Sequence, residues 1–337
     1  MDTPTLLNLA QSAVDVGNIK AACEFYEIAL LQSPNNEDIL EAYAEIMIHH
    51  VQDIERAKQM LRHAIEINPN VGYVKYLNLA QLTEAEEALR LYQSAHDIAH
   101  LELGSCRKKK AKQALMETLA TICCAMVELY LTDLCFHAEA EVSCEEWVQK
   151  ALGYNPNGVE AHQLHASLLL SQNNTAAALE ALRRAVDLTH RLSEAHQPTY
   201  ESKVELGRLL MQASPDEAFG FLLEILQLGD NNPYVWFLLG ECARMRGRYI
   251  DAARLLRRAR MMLVISDGDT NAIAEVDHAI RVLVEEMGGA EEAAKVPDLD
   301  HHDPISLLQP ENDEENEDEK ENELDDPAWE SCAENED

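Results

Sequence analysis

The sequence predicts an all-α chain, a right-handed superhelical solenoid of about seven helical hairpins with a capping helix and a disordered acidic tail. Three observations predict it. Apolar residues recur at helical spacing and no segment alternates convincingly as a strand. A set of bulky and small residues returns about every 34 residues. The last stretch, PENDEENEDEKENELDDPAWE, has too little apolar surface to offset the entropy of ordering it.

The clearest unit is NPYVWFLLGECARMRGRYIDAARLLRRARMML. Trp236, Leu239, Gly240 and Ala243 lead across a polar turn to Ala252, Leu256 and Ala259. Bulky side chains on the first helix wedge against a second helix whose alanines let the two axes approach, and the order resembles the tetratricopeptide repeat. The same offsets occur from the start of the chain. The first hairpin has Leu6, Leu9, Ala10 and Ala13, then Ala22, Tyr26, Ala29 and a closing Pro34. In the second, Leu40, Tyr43, Ala44 and Met47 precede Ala57, Leu61, Ala64 and Pro69, with about one extra residue between the helices. The third has Tyr76, Leu79 and Ala80 leading early to Ala88, Tyr92 and Ala95, so its turn is short.

A fourth, irregular unit has a long first helix and an enlarged connection before Cys144, Val148, Ala151 and Pro156. The fifth is regular, with His162, His165, Ala166, Leu169, Ala178, Leu182 and Ala185, and the sixth carries Leu206, Gly207, Leu210, Ala218 and Leu222. The helix TNAIAEVDHAIRVLVEEM should cap the seventh, with Gly288 and Gly289 as its stop. The expected domains are a solenoid over residues 1–288 and an acidic tail over 289–337.

Composition bounds the partners. Sixty-one acidic against 27 basic residues give a net charge of −34, about half of it after Gly289. That field repels nucleic acid and anionic lipid and attracts a basic protein. MDTPTLLNLAQSAVD lacks a basic n-region, and no uninterrupted apolar run approaches about 18 residues, so neither a signal peptide nor a membrane span is expected. The eight cysteines show no CxxC pair and read as reduced structural thiols of a soluble intracellular protein. No P-loop, GxGxxG, HExxH or GxSxG is present, so the reading is not an enzyme, with no catalytic residue, cofactor or metal.

In such a solenoid the first helix of each hairpin lines the concave groove. The positions between its packing residues hold Asp38, Glu41, Glu45, Glu128, Asp133, Glu160, Glu201 and Glu241, interleaved with Leu77, Val204, Tyr234 and Phe237. Carboxylates among apolar and aromatic patches suit a segment that mixes arginine and lysine with hydrophobic side chains. The clamp that grips acidic chaperone C-termini needs lysines and asparagines, whereas Leu7 and Gln11 stand in the first repeat. One basic cluster, Arg107, Lys108, Lys109, Lys110 and Lys112, reads as an import signal, a contact for an acidic surface, or the solvated start of the fourth hairpin.

VELYLTDLCFHAEAEVSCEEWVQKALGYNPN, with YLNLAQLTEAEEALRLY upstream and the acidic end behind, resembles a particular tetratricopeptide family. These are the dedicated assembly chaperones of large-subunit ribosomal protein four. The resemblance implies capture of the new ribosomal protein, shielding of its long basic internal loop, passage from cytoplasm to nucleus, and release into the pre-60S particle. It implies a chaperone that is a monomer alone and one-to-one with its client, with no direct contact to nucleic acid or membrane. The alternative is an acidic repeat scaffold or co-chaperone, including a histone-chaperone-like role, that binds other basic proteins.

Overall fold

The computed structural model describes residues 1–193, 196–229, 232–266 and 268–297. Most of the predicted acidic tail, with Cys332, therefore lies outside the described residues. Among the described residues there are sixteen α-helices and no strand. Seven hairpins follow one another: α1 (Thr3–Asp15) with α2 (Ile19–Gln32), α3 (Glu37–Ile46) with α4 (Ile54–Ile67), and α5 (Val74–Ala80) with α6 (Ala85–Ser105). Then come α7 (Lys109–Leu131) with α8 (Ala140–Tyr154), α9 (Val159–Ser171) with α10 (Thr175–Arg191), α11 (Tyr200–Ala213) with α12 (Pro215–Leu228), and α13 (Pro233–Met245) with α14 (Tyr249–Ile265). α15 (Thr270–Glu286) packs on the last pair, and a short α16 (Ala290–Ala294) follows.

The turns show why the chain repeats. Three hairpins close with a left-handed residue, Gly17, Asn173 or Gly247, and the next amide reaches back five residues: Asn18 N to Ala13 O at 2.8 Å, Asn174 N to Leu169 O at 2.8 Å and Arg248 N to Ala243 O at 2.9 Å. This is the Schellman closure, which satisfies carbonyls that the helix end leaves bare. In the second hairpin the extra residue is absorbed as a π-helical turn, Met47–Val51, with Gln52 left-handed and Asp53 N reaching Met47 O at 3.0 Å. The insertion thus widens one turn without shifting the packing register. Side-chain oxygens of Asn18, Asn36, Asp53 and Asn174 then accept from backbone amides at the start of the next helix. Pro34, Pro69 and Pro156 each stand just after a helix C-cap, where they cannot interrupt a ladder.

The core is a row of clusters, as a solenoid requires. One runs from Leu6 to Leu79, a second joins Tyr76, Ala95 and Met126, and the largest extends from Val159 to Val296 around the buried Trp236. Between them the irregular fourth hairpin packs through the small residues Cys123, Cys124, Cys144 and Ala151. Burial pushes these thiols up, Cys123 to about 12 and Cys144 to about 11, which leaves them protonated and inert. The seven described cysteines are all free.

Two expectations are corrected. By length and composition α7 alone among the described helices could cross a membrane, with an 18-residue window of mean hydropathy 1.6. Glu117 and Glu128 interrupt the run, and the apolar side chains Leu119, Ile122, Met126 and Val127 are buried among α6, α8 and α9. The second concerns the boundary at 288, since packing continues to Val296. Ala293 and Val296 are buried, and the Arg257 guanidinium donates to their carbonyls at 2.7 and 2.8 Å.

Close approach of the paired helices depends on glycine at two places. A Cβ on Gly240 would lie 2.7 Å from Leu256 Cδ2, and one on Gly207 would lie 2.6 Å from Leu222 Cδ2. Gly240→Ala should therefore lower unfolding stability by about 1–3 kcal/mol through overpacking. Gly220→Ala, in mid-helix with nothing within 4 Å, should raise it by about 0.5–1 kcal/mol. Urea titration of both variants checks the pair.

Candidate functional site

Five odd-numbered helices form a wall. α7, α9, α11, α13 and α15 touch in order. At the other end Lys75 of α5 pairs with Glu37 of α3. Apart from α15, these are the first helices of their hairpins, the elements expected to line the groove.

At its N-terminal end Glu37, Asp38, Glu41 and Glu45 stand on α3. Lys75 is fully buried; besides Glu37 it donates to Asn68 O at 2.7 Å. Glu41 is half-buried, and burial first, then the neighbouring Glu37, pushes its carboxyl up to about 7 against the opposing pull of Lys75. A carboxylate whose folded pKa exceeds its unfolded one weakens the fold as pH rises between the two values. Glu41 therefore lowers stability progressively from about pH 4.5 to 7. Glu41→Gln should accordingly be more stable than the parent at pH 8 and indistinguishable from it at pH 4, measured by thermal unfolding.

The centre of the wall is the step from α7 to α9. Glu128 and Glu160 both have carboxyls raised by withdrawal from water, and Glu128 raises Glu160 further. Both residues nevertheless remain exposed. Among the described residues neither has an ion-pair partner. Tyr92 of α6 and the buried Cys124 sense the same charges. Leu77 lies half-buried beside the Tyr76 cluster, an apolar neighbour on the same wall.

From α11 onward the character changes. Glu201 is exposed on the first turn of α11. Tyr234 is 39% exposed and stacks on Phe237 with ring centroids 5.9 Å apart. Its hydroxyl feels Arg208 and Glu205 of α11 and Glu275 of α15, which fixes it on the odd-helix wall. Glu205 accepts two hydrogen bonds from Arg208 at 2.5 and 2.7 Å. Glu241 likewise accepts two from Arg244 at 2.9 and 3.2 Å, and Arg244 also reaches Glu286 at 2.9 Å.

Three of the residues predicted for the groove are placed otherwise. Val204 is 6% exposed and belongs to the core, so it offers a client nothing. Glu241 faces the wall with its charge already spent on Arg244. Asp133 lies in the α7–α8 connection and turns to a separate cleft of about 620 Å³ with Lys58, Arg62, Arg90 and His137. Lys75 and the arginine partners were missed by sequence reading, although Glu205 with Arg208 and Glu241 with Arg244 carry the i,i+3 spacing that pairs charges on one helix face.

The basic cluster is not in the groove. Arg107, Lys108, Lys109, Lys110 and Lys112 are exposed at the tip where α6 ends and α7 begins, with no carboxylate in ion-pair range among the described residues. Lysines there meet the positive end of the α7 dipole, which disfavours them.

Comparison with known proteins agrees with this architecture. A tetratricopeptide repeat model matches residues 50–71 and 159–189. A Schizosaccharomyces pombe protein named probable assembly chaperone of rpl4 is 28% identical over 77% of this chain and 80% of its own length. Its Emericella nidulans namesake is 26% identical over 75% of this chain and 67% of its own. The solved structure of an assembly chaperone of RpL4, Acl4 residues 1–338, superposes with a TM-score of 0.67 at 25% identity, covering 74% of this chain and 98% of that one. A tetratricopeptide repeat protein from Parabacteroides merdae shares the fold alone, at TM-score 0.54 and 16% identity over 83% of this chain and 98% of its own. The chain is a tetratricopeptide-repeat solenoid and a relative, in sequence and fold, of the assembly chaperones of rpl4.

Proposed function

We propose that this chain is an assembly chaperone of ribosomal protein rpl4, and that its concave wall holds the basic internal loop of that client until RNA replaces it. It acts by binding and carries out no chemistry. The observation that carries the reading is the pair of exposed carboxylates Glu128 and Glu160 on the touching helices α7 and α9, neither with an ion-pair partner among the described residues. Carboxylates without a cation offer an arriving lysine or arginine an unused charge-assisted partner. The names of the fungal relatives supply the client.

One copy would hold one rpl4, accompany it from cytoplasm to nucleus, and release it on the pre-60S particle. Glu41, pushed up to about 7, retains protons near neutrality, so a cationic loop should expel them. Titration of rpl4 loop peptide into the chain at pH 6.5, in phosphate and in imidazole, should give different binding enthalpies because protons are released. Equal enthalpies in the two buffers would remove the proposed site.

The acidic tail enters as a long-range attractor. Deleting the residues after Asp300 should slow association at low salt more than it weakens the final complex, because exposed charges act over a Debye length of about 8 Å at physiological ionic strength. Stopped-flow association with and without the tail checks this, and identical rates at low salt would leave the tail no part in capture.

A further inference from the structure

We infer that the concave wall is polarised, and that it takes a client segment in one orientation, with its lysines and arginines over α3–α9 and an apolar side chain on the Tyr234–Phe237 pair. This rests on the reading of the wall as a site for a basic polypeptide and adds which way that polypeptide lies.

The polarity comes from how the carboxylates are used. Glu45, Glu128 and Glu160, on the wall from α3 to α9, have no ion-pair partner among the described residues, while Glu41 competes with Glu37 for the single cation Lys75. On α11 and α13 the carboxylates of Glu205 and Glu241 are each held by an arginine of the same helix at hydrogen-bond distance, and only Glu201, on the first turn of α11, has no ion-pair partner among the described residues. A cation arriving at α3–α9 gains an unused partner. The same cation arriving at Glu205 or Glu241 would have to displace an arginine that already makes paired hydrogen bonds, which offers little net gain.

Where charge is neutralised, apolar surface is offered instead. Tyr234 and Phe237 stack with an interplanar angle of 22° and form a platform at the junction of α11, α13 and α15. Aromatic faces of this kind take an aliphatic or aromatic side chain with little entropy cost. Placing that apolar group at the α3–α9 end instead would desolvate carboxylates without pairing them. The two orientations therefore differ in energy at both ends of the wall, and specificity arises from the rejection of one of them.

Two synthetic peptides test the orientation without depending on rpl4. Both carry a lysine and arginine run and one Leu-Leu-Phe block, placed at the C-terminal end in one and at the N-terminal end in the other. A photo-crosslinking residue replaces Glu45 or Tyr234 in the full chain, each variant first shown to keep the parental melting temperature. The expected result is that position 234 crosslinks to the apolar block and position 45 to the basic run in both peptides. Crosslinks from both positions spread over the same peptide residues would overturn the polarity.

A salt titration supplies the second measurement. Glu128→Gln with Glu160→Gln should weaken peptide binding about tenfold in low salt and flatten its salt dependence, as expected for lost charge contacts. Tyr234→Ala should weaken binding several-fold with the salt slope unchanged. A changed slope for Tyr234→Ala would contradict the assignment of that end to apolar contact. If the peptides bind with the expected polarity and rpl4 does not bind, the client is wrong and the polarity stands. If rpl4 binds and crosslinks without order, the chaperone reading stands and the polarity falls.

Discussion

Reversing both central carboxylates, Glu128→Lys with Glu160→Lys, should abolish capture of rpl4 while leaving the fold intact. Each substitution replaces an attraction with a like-charge contact, and losing a close charge pair at an interface costs about 2–5 kcal/mol. Two such changes should raise Kd at least about 100-fold. The residues carry little of the core, because the buried face of α7 is made by Leu119, Ile122, Cys123, Met126 and Val127. Binding by fluorescence anisotropy, with circular dichroism as the control for folding, measures the effect. Near-parental affinity in a folded double variant would mean that the client lies elsewhere.

The second large effect is on stability. Lys75 is fully buried, and its charge is balanced by Glu37, with Glu41 close behind. Removing both acids, Glu37→Gln with Glu41→Gln, leaves a buried ammonium without a counter-ion and should cost about 3–5 kcal/mol. Adding Lys75→Met to that background removes the orphaned charge and replaces it with an apolar side chain of similar length, so most of the loss should be recovered. Equilibrium unfolding in urea at pH 7.5 compares the three chains. A triple variant no more stable than the double would show that Lys75 is not the source of the cost.

How far the sequence revealed this molecule depends on which side chains set each feature. The hairpins were legible because their packing residues are local and periodic: Trp236, Leu239, Gly240, Ala252, Leu256 and Ala259 are all buried as their spacing requires. The added residue in the second hairpin was legible too, since it shifts one interval and returns as a π-helical turn. Glu41, Glu45, Glu128 and Glu160 stand on first helices of their hairpins, where the same periodicity puts them.

What was lost depends on contacts between distant elements. The register places Val204 beside groove positions, yet it packs into the core among α11, α12 and α13, which only the three-dimensional arrangement decides. Asp133 failed for another reason: it sits in an irregular connection where helical spacing carries no information about direction. The pairing of Lys75 with Glu37 spans two hairpins, and no spacing rule reaches that far. The arginines that neutralise the C-terminal part of the wall could have been found from their local spacing, had charge pairing been read alongside the groove positions.

The central claim is that the wall selects the internal loop of rpl4 and does not hold basic proteins indiscriminately. Its most direct test is recovery on co-expression of the full chain with intact rpl4, with rpl4 lacking its internal loop, and with a core histone, in about 0.3 M salt where exposed charge contacts are strongly screened. The account predicts near-stoichiometric recovery of intact rpl4 and little of the other two. Comparable recovery of all three, or of the loop-deleted protein alone, would contradict it.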